Sequence, residues 1–515
     1  MLFGGAIPRM ETMSTQRFGS VRSVAGALAL GAVIFVGCSE SADETANPQT
    51  FAETQDVEDS TATSTADAAV DSGSQISFAS DVQPILEANC VSCHSGTGPG
   101  TTHLFMETAE EISNVAEFAA FRVEEGQMPP WPLSGLQEIS YQYDLSMSDE
   151  DRQVLIDWAA EGGELDVDGT TELVATNQTF PPIEEDVVLY PEGSYAGSGE
   201  LRDDYRCRVL ETGADEDQWV TSLEVRPDET RVLHHGVVFL ATADDRAIAQ
   251  ELSAEDELPG WQCQTIPQLS DGFANQVAAW APGTGPITLP EGTGLRAEAD
   301  DFFIIQWHYH YDGEPLPDNS GLAVQYATDE EVAAAGGTLE ELRTNILLGP
   351  AEIPCASFES GPGCDRDVAL ERVAREFGFQ STLIPALVNA QCGVTPEDFA
   401  HFTDGVASSS CDIEMRNGEL VSIWPHMHEL GTNYRLTLNP DTPDEQILID
   451  IDQWNFDWQL GYYPEERIPV NAGDTLRLEC GWDRALWPAD EESRYIVWAE
   501  GTADEMCYTG ILSAG

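Results

Sequence analysis

Lysine is missing from all 515 residues. Every basic side chain is arginine, and the 22 arginines face 92 Asp and Glu, for a formal net charge of −70. Such a chain repels phosphate backbones and anionic headgroups, which excludes nucleic acid as a partner and a membrane surface bound through charge. The surplus suits solubility in a salty medium, where ions screen self-repulsion. Long apolar runs are also scarce. After Cys38 no stretch is apolar enough to span a bilayer. Histidine is limited to nine positions, so their placement carries information.

The apolar run VAGALALGAVIFVG follows Arg17 and Arg22 and ends at Cys38. A basic start before a short apolar core reads as an export signal. Val36 and Gly37 before Cys38 resemble a bacterial lipobox, with Phe35 where leucine is usual. Residues 1–38 are therefore expected to be a lipoprotein-type signal peptide and Cys38 the lipidation site. The protein is then exported, periplasmic or at the cell surface, and tied to the membrane only by that lipid. Residues 39–76 are rich in Asp, Glu, Ser, Thr and Ala and cannot bury enough apolar surface to offset ordering, so they read as an acidic disordered linker.

Residues 90–94 are CVSCH. In an exported protein this spacing reads as c-type haem attachment: Cys90 and Cys93 form thioethers and His94 ligates iron. Upstream, Val82, Ile85 and Leu86 have helical spacing behind Ser80 or Asp81 as cap; downstream, Leu155, Trp158 and Ala159 share a face ahead of Gly162. Residues 77–167 are expected to be a small all-α cytochrome c domain. For the sixth iron ligand, Met128 in GQMPPWP is preferred, because two prolines stiffen its loop. Met106, Met147 and His103 are the competitors.

Three short stretches concentrate the remaining histidines: VLHHGVVFL with His234 and His235, QWHYHYDG with His308 and His310, and WPHMHELG with His426 and His428. TADEMCYTG adds Met506. Imidazole with thioether suits copper, since sulfur stabilises Cu(I) and nitrogen accepts both oxidation states. On a strand, positions i and i+2 share a face, so one ion can touch both His426 and His428. Adjacent His234 and His235 would point to opposite faces of a regular strand, so a shared ion requires an irregular backbone there, which Gly236 allows.

HHGVVF, WAPG at Trp280–Gly283, QWHYHYDG, HMHELG and DEMC occur in that order. The series resembles the copper type II, ascorbate-dependent monooxygenases, the family of peptidylglycine α-hydroxylating and dopamine β-monooxygenases, over most of residues 185–515. The resemblance implies two copper ions. His234, His235 and His308 would hold an electron-transfer copper; His426, His428 and Met506 would hold the catalytic copper, where the co-substrate O2 binds. It assigns no ligand role to His310, His401 or His103. It implies two antiparallel β-sandwich, jelly-roll-like copper domains, 185–343 and 344–515, facing a wet cleft. Strand periodicity alone gives only an all-β sandwich or barrel.

Of eleven cysteines, setting aside Cys38, Cys90 and Cys93 leaves an even number for disulfides in an oxidising compartment. Cys480 and Cys507 match a pair bridged in the family. Cys207 and Cys263 are expected to pair within the first copper domain. Cys355, Cys364, Cys392 and Cys411 lie in an insertion at about 355–411, with three pairings open.

The chemistry implied is hydroxylation of a substrate C–H bond, with ascorbate as a reductant and the fused haem as a second source of electrons, itself recharged by an upstream donor. Amidating members carry an arginine where this chain has Trp424, and Asn and Tyr where it has Tyr508 and Gly510. Glycine-extended peptides are therefore not expected as substrates, and Trp424 points to a small aromatic or apolar molecule. The competing reading is a haem- and copper-binding electron carrier, or a copper-binding lipoprotein, without oxygenase activity.

Overall fold

The computed structural model describes residues 76–515, except 97, 103, 177–179, 200–202, 214–215, 264–266, 268, 270–275, 312 and 490. The expected signal, the lipidation site Cys38, nearly all of the linker and His103 lie outside the described residues.

Among the described residues of 76–175 the regular elements are short helices joined by loops. Ser77 caps the first helix by accepting from the Ser80 amide, and a π-helical opening at Phe78–Val82 runs into Gln83–Asn89. The cap thus falls earlier than the Ser80 or Asp81 expected, and the wider first turns bury both Phe78 and Val82. Thr108 and Glu111 form a capping box for Ala109–Ser113, and Ser148 caps Asp149–Ala160. Leu155, Trp158 and Ala159 of that last helix face a core shared with Phe78, Leu86 and Ile112.

Beyond residue 185 the chain is mostly β-sheet, in two sandwiches. In the first, a sheet ordered Trp261–Gln262, Asp203–Glu211, Phe302–His310, Leu233–Ala241, Gln276–Trp280 packs on strands Val187–Leu189, Gly321–Tyr326, Gln218–Arg226 and Thr293–Ala297. Phe302–His310 reads FFIIQWHYH with eight of nine residues buried, because it is covered on both faces. The helix Arg246–Glu255 contributes Ala249 to the outer cover, beside the Cys207–Cys263 disulfide. In the second sandwich, Val406–Glu414, Thr475–Asp483, Gly431–Leu438 and Gln446–Ile451 face Glu340–Leu348, Tyr508–Ala514, Gly418–His426 and Ile468–Val470.

The two sandwiches are joined through a sheet. Glu340 and Glu341 pair in parallel with Thr293 and Gly294, making one nine-stranded sheet from a face of each. The expected division at 343/344 falls inside the strand Glu340–Leu348 that makes this junction. Among the described residues four disulfides form: Cys207–Cys263, Cys355–Cys364, Cys392–Cys411 and Cys480–Cys507. Both expected pairs are present, and the insertion pairs its cysteines in sequential order. Four bridges imply an oxidising, exported setting. Among the described residues no helix is long and apolar enough to cross a membrane.

The helical region is bound to the second sandwich by residues 126–143. Leu133 bridges to Ile451 and Tyr141 to Pro464; the Ser134 amide donates to Asp450 O (2.8 Å) and the Gln142 amide to Tyr463 O (2.8 Å). Tyr141 is buried in the sandwich core, its hydroxyl donating to Leu448 O (2.5 Å).

Candidate functional site

His234 and His235 open the strand Leu233–Ala241, and His308 lies near the end of its neighbour Phe302–His310. The ladder between them skips His234: Leu233 pairs with Tyr309 and His235 with His308. That bulge turns two successive side chains toward one point, as the shared ligand set required. Gly236 does not bend the chain. Its Cα faces Trp307, whose ring atoms would meet a Cβ at 2.4 and 2.6 Å, so glycine serves close packing beside the cluster.

Three Nδ1 atoms converge: His234 to His235 3.1 Å, His234 to His308 3.2 Å, and His235 to His308 3.4 Å. At most one N–H can be shared among three such atoms, so the other lone pairs repel unless a cation sits between them. A point equidistant from all three is within about 2 Å of each, the length of a metal–imidazole bond. Burial, reinforced by the neighbouring rings, pushes His234 and His235 well below the usual histidine range, leaving neutral rings with lone pairs to offer. His308 is fully buried, and burial lowers it too, although Asp203 pulls it back up.

Asp203 sets the tautomer. Its Oδ1 accepts from His308 Nε2 (2.9 Å) and His310 Nδ1 (2.7 Å), and Oδ2 accepts from Thr502 Oγ1 (3.0 Å). With Nε2 protonated, His308 keeps its Nδ1 lone pair for the cluster. Burial alone would raise the Asp203 carboxyl, but the two histidine bonds outweigh it and hold it well below the carboxylate range. Asp203, His308 and His310 also form a second group with ligand atoms within 4.8 Å of one another. His310, to which the resemblance gives no ligand role, thus has a partner in Asp203.

His426 ends the strand Gly418–His426, and His428 lies just past it, ring centroids 5.0 Å apart at 87°. Gln459 Oε1 lies 2.5 Å from His426 Nδ1, and Asp504 O lies 3.2 Å from His428 Nδ1. Both partners are acceptors, so each Nδ1 carries the proton and each neutral ring holds its lone pair at Nε2. Burial pushes His426 down to about 4, against the bond to Gln459, and His428 well below the usual range. Met506 sits in the loop before Tyr508–Ala514, whose Tyr508 pairs with His426. Cys480–Cys507 pins that loop.

Glu505 binds the two loops together. Its carboxylate accepts from the amides of His428 (3.0 Å), Leu430 (2.6 Å) and Met506 (3.2 Å) and from Trp482 Nε1 (3.0 Å). Burial pushes this carboxyl up to about 8. All four neighbours donate, however, so a proton on either oxygen would lack an acceptor, and the ionised form fits this nest. The Cys-rich insertion braces the same loop through Arg372, which forms an ion pair with buried Asp504.

His235, His426, His428 and Met506 line one cavity of about 90 Å³. The two histidine groups are not separated by an open cleft: the rings of His235 and His426 stand 6.0 Å apart. Phe456 occupies the space, stacked on His234 at 4.7 Å and 6.4 Å from His428. Trp280, Trp424 and Trp498 form the apolar wall. Trp424 fits between Gly461 and Gly510, where a Cβ would approach its ring to 2.7 Å on either side, and it donates to Tyr463 Oη (3.2 Å). Gly510 thus makes room for Trp424. No arginine lines the cavity among the described residues. One acid does: Glu500, buried, with Oε1 lacking a partner and its carboxyl pushed well up by burial and then by Asp504.

In the helical region Cys90 and Cys93 are free thiols, while the other eight described cysteines are bridged. Burial, then Cys93, raises Cys90 to about 12. His94 Nδ1 lies 2.9 Å from Leu104 O, which assigns the proton to Nδ1 and leaves the lone pair at Nε2. A Cβ at Gly100 would meet the His94 ring at 2.6 Å, so glycine lets the chain pass close to the ring. Met106, Met128 and Met147 all reach this core. The Met106 amide donates to His94 O (2.8 Å), on the histidine's own side; Met128 follows Ala116–Glu124 with its amide on Arg122 O (3.1 Å).

No family model and no curated protein matches the chain. Among solved structures, it aligns with the infectious bursal disease virus VP2 subviral particle at 7% identity and a TM-score of 0.15, covering 64% of this chain and 72% of that one. It aligns with the coconut allergen cocosin at 12% and 0.12, covering 64% and 86%, and with a mutant Bacillus subtilis oxalate decarboxylase at 9% and 0.13, covering 66% and 80%. Scores this low do not define a shared fold.

Proposed function

We propose that this chain is an exported copper-dependent monooxygenase of the peptidylglycine α-hydroxylating and dopamine β-monooxygenase kind, fused to a c-type cytochrome domain. The observation that carries the reading is the convergence of three histidine Nδ1 atoms within 3.1–3.4 Å, beside a cavity lined by His426, His428 and Met506.

His234, His235 and His308 would hold one copper, and His426, His428 and Met506 the other, the softer set with a thioether. Copper there supplies one-electron chemistry with dioxygen, placing one oxygen atom in a substrate C–H bond while the other leaves as water with two electrons and two protons. Haem held by Cys90, Cys93, His94 and Met128 would supply electrons. The chain's own residues prepare the site. Asp203, Gln459 and the Asp504 carbonyl fix which imidazole nitrogen keeps its lone pair. Glu505 and Cys480–Cys507 hold Met506 against the histidine loop. Trp280, Trp424, Phe456 and Trp498 exclude water and offer ring faces to an aromatic or apolar substrate.

The test is incubation of haem-matured, copper-loaded protein with ascorbate, ¹⁸O2 and a panel of small aromatic and apolar compounds. Singly oxygenated products carrying ¹⁸O, lost in His426→Ala, are expected. Metal-replete protein that leaves every compound unlabelled would favour the electron-carrier reading.

A further inference from the structure

One loop touches both histidine groups and the helical region. It runs from Trp454, whose amide donates to Thr432 O (2.8 Å), to Tyr462, which exchanges backbone bonds of 2.9 Å with Ile423. Between these anchors Phe456 stacks on His234, Asp457 Oδ1 stands 3.9 Å from His234 Nε2, and Gln459 bonds His426. Gln459 Nε2 donates back to Phe456 O (2.9 Å), so the residues serving the two groups brace each other.

The outer side of this loop receives the Met128 segment. Gly126 ends the helix Ala116–Glu124 at φ +69, facing Gln453. Pro130 and Leu460 both come within 3.6 Å of where a Cβ would lie on Gly283, in the turn just after cavity-lining Trp280. Trp131 meets Tyr462 edge to face at 5.4 Å. Met128 is thus two residues from Pro130, which shares the Gly283 turn with Leu460, itself next to Gln459.

We propose that this seat, Trp131 on Tyr462 with Pro130 and Leu460 both against the Gly283 turn, is where electrons from the helical region enter the histidine groups. The proposal rests on the haem and copper reading above. In each transfer one electron leaves ferrous haem, which becomes ferric, and reduces one cupric ion to cuprous; no bond to the chain forms or breaks. Trp131 acts as a positioning residue that fixes the Met128 edge over the loop, and Gln459 and Phe456 carry the path onward to His426 and His234.

Flash reduction of haem in oxidised, copper-loaded full-length protein under argon tests it, with the haem absorption band followed as the electron moves on. Wild type should show a concentration-independent reoxidation that disappears without copper. Trp131→Ala should slow it about tenfold or more, the scale on which lost positioning acts, with haem spectrum and copper content unchanged and Trp131→Phe restoring most of the rate. Ser134→Ala, which removes the bond its hydroxyl donates to the Asp450 carboxylate away from the seat, should leave the rate near wild type. A Trp131→Ala rate near wild type, or equal slowing in Ser134→Ala, overturns the proposal. Wild type that binds no haem, or shows no copper-dependent reoxidation, overturns the functional reading instead.

Discussion

Asp203 offers the sharpest perturbation of the first histidine group without touching a ligand. Its Oδ1 accepts from both His308 and His310. Asp203→Asn keeps one neutral acceptor in place of a charged one. Hydrogen bonds to charged groups contribute about 1.5–3 kcal/mol and neutral ones about 0.5–1.5 kcal/mol, so the His308 bond weakens by about 1–1.5 kcal/mol. Only that bond bears on a ligand, so copper affinity should fall about tenfold. Asp203→Ala removes the bond outright and leaves a fully buried N–H without a partner; the loss should approach about a hundredfold, the upper end for such supporting groups. Competition with a Cu(I) chelator resolves the two sites: one dissociation constant should weaken in the order Asp, Asn, Ala while the other holds. Circular dichroism checks that the fold is intact. Two unchanged affinities in Asp203→Ala, or equal weakening of both sites in a folded protein, would refute the reasoning.

Gly236→Ala places a Cβ against Trp307 at 2.4 Å; overpacking should cost about 1–3 kcal/mol and disturb the His235 side of the cluster, read as a lower denaturant midpoint and loss of one copper. The Cys480–Cys507 bridge spans 27 residues; converting both to serine should destabilise by about 3.5 kcal/mol on the loop-entropy scale and release the Met506 loop, so copper at the second site should weaken more than at the first. With a net charge of −70, the melting temperature should rise as salt goes from about 0.01 M to about 1 M; an unchanged temperature would contradict self-repulsion. Arg477 holds Asp412 below the usual carboxylate range, and Arg231 does the same for Glu229. A carboxyl lowered on folding stabilises above its unfolded pKa of about 4, and the contribution disappears as pH falls through the folded value. At high salt, calorimetry should therefore show stability falling below about pH 4, and a rise there would contradict the pairings.

The histidine clusters were legible from spacing, because a bulge and an i and i+2 pair are demands that the motifs themselves state; the Cys480–Cys507 bridge came from the family resemblance, and the insertion's pairings were open. His234 does leave the ladder as two adjacent ligands require. What supports them was not legible. Asp203 is one of 92 acids and sits 105 residues from His308; nothing in its neighbourhood, LRDDY, sets it apart. Gln459 reaches His426 across 33 residues, and Glu505 reaches His428 across 77, by packing alone. The sheet continuing across the two sandwiches rests on two parallel pairs at Glu340 and Glu341, for which strand periodicity carries no sign. The helical region looked like an independent unit because its own core is complete. Its attachment is made by the loop residues 126–143, where periodicity is weakest.

Copper and iron per chain, measured by elemental analysis on protein matured with haem and loaded with copper, test the central claim most directly. About two coppers to one iron are expected, with His426→Ala and His308→Ala each losing one copper and keeping iron. One copper or none in wild type with haem intact would contradict the two-centre reading.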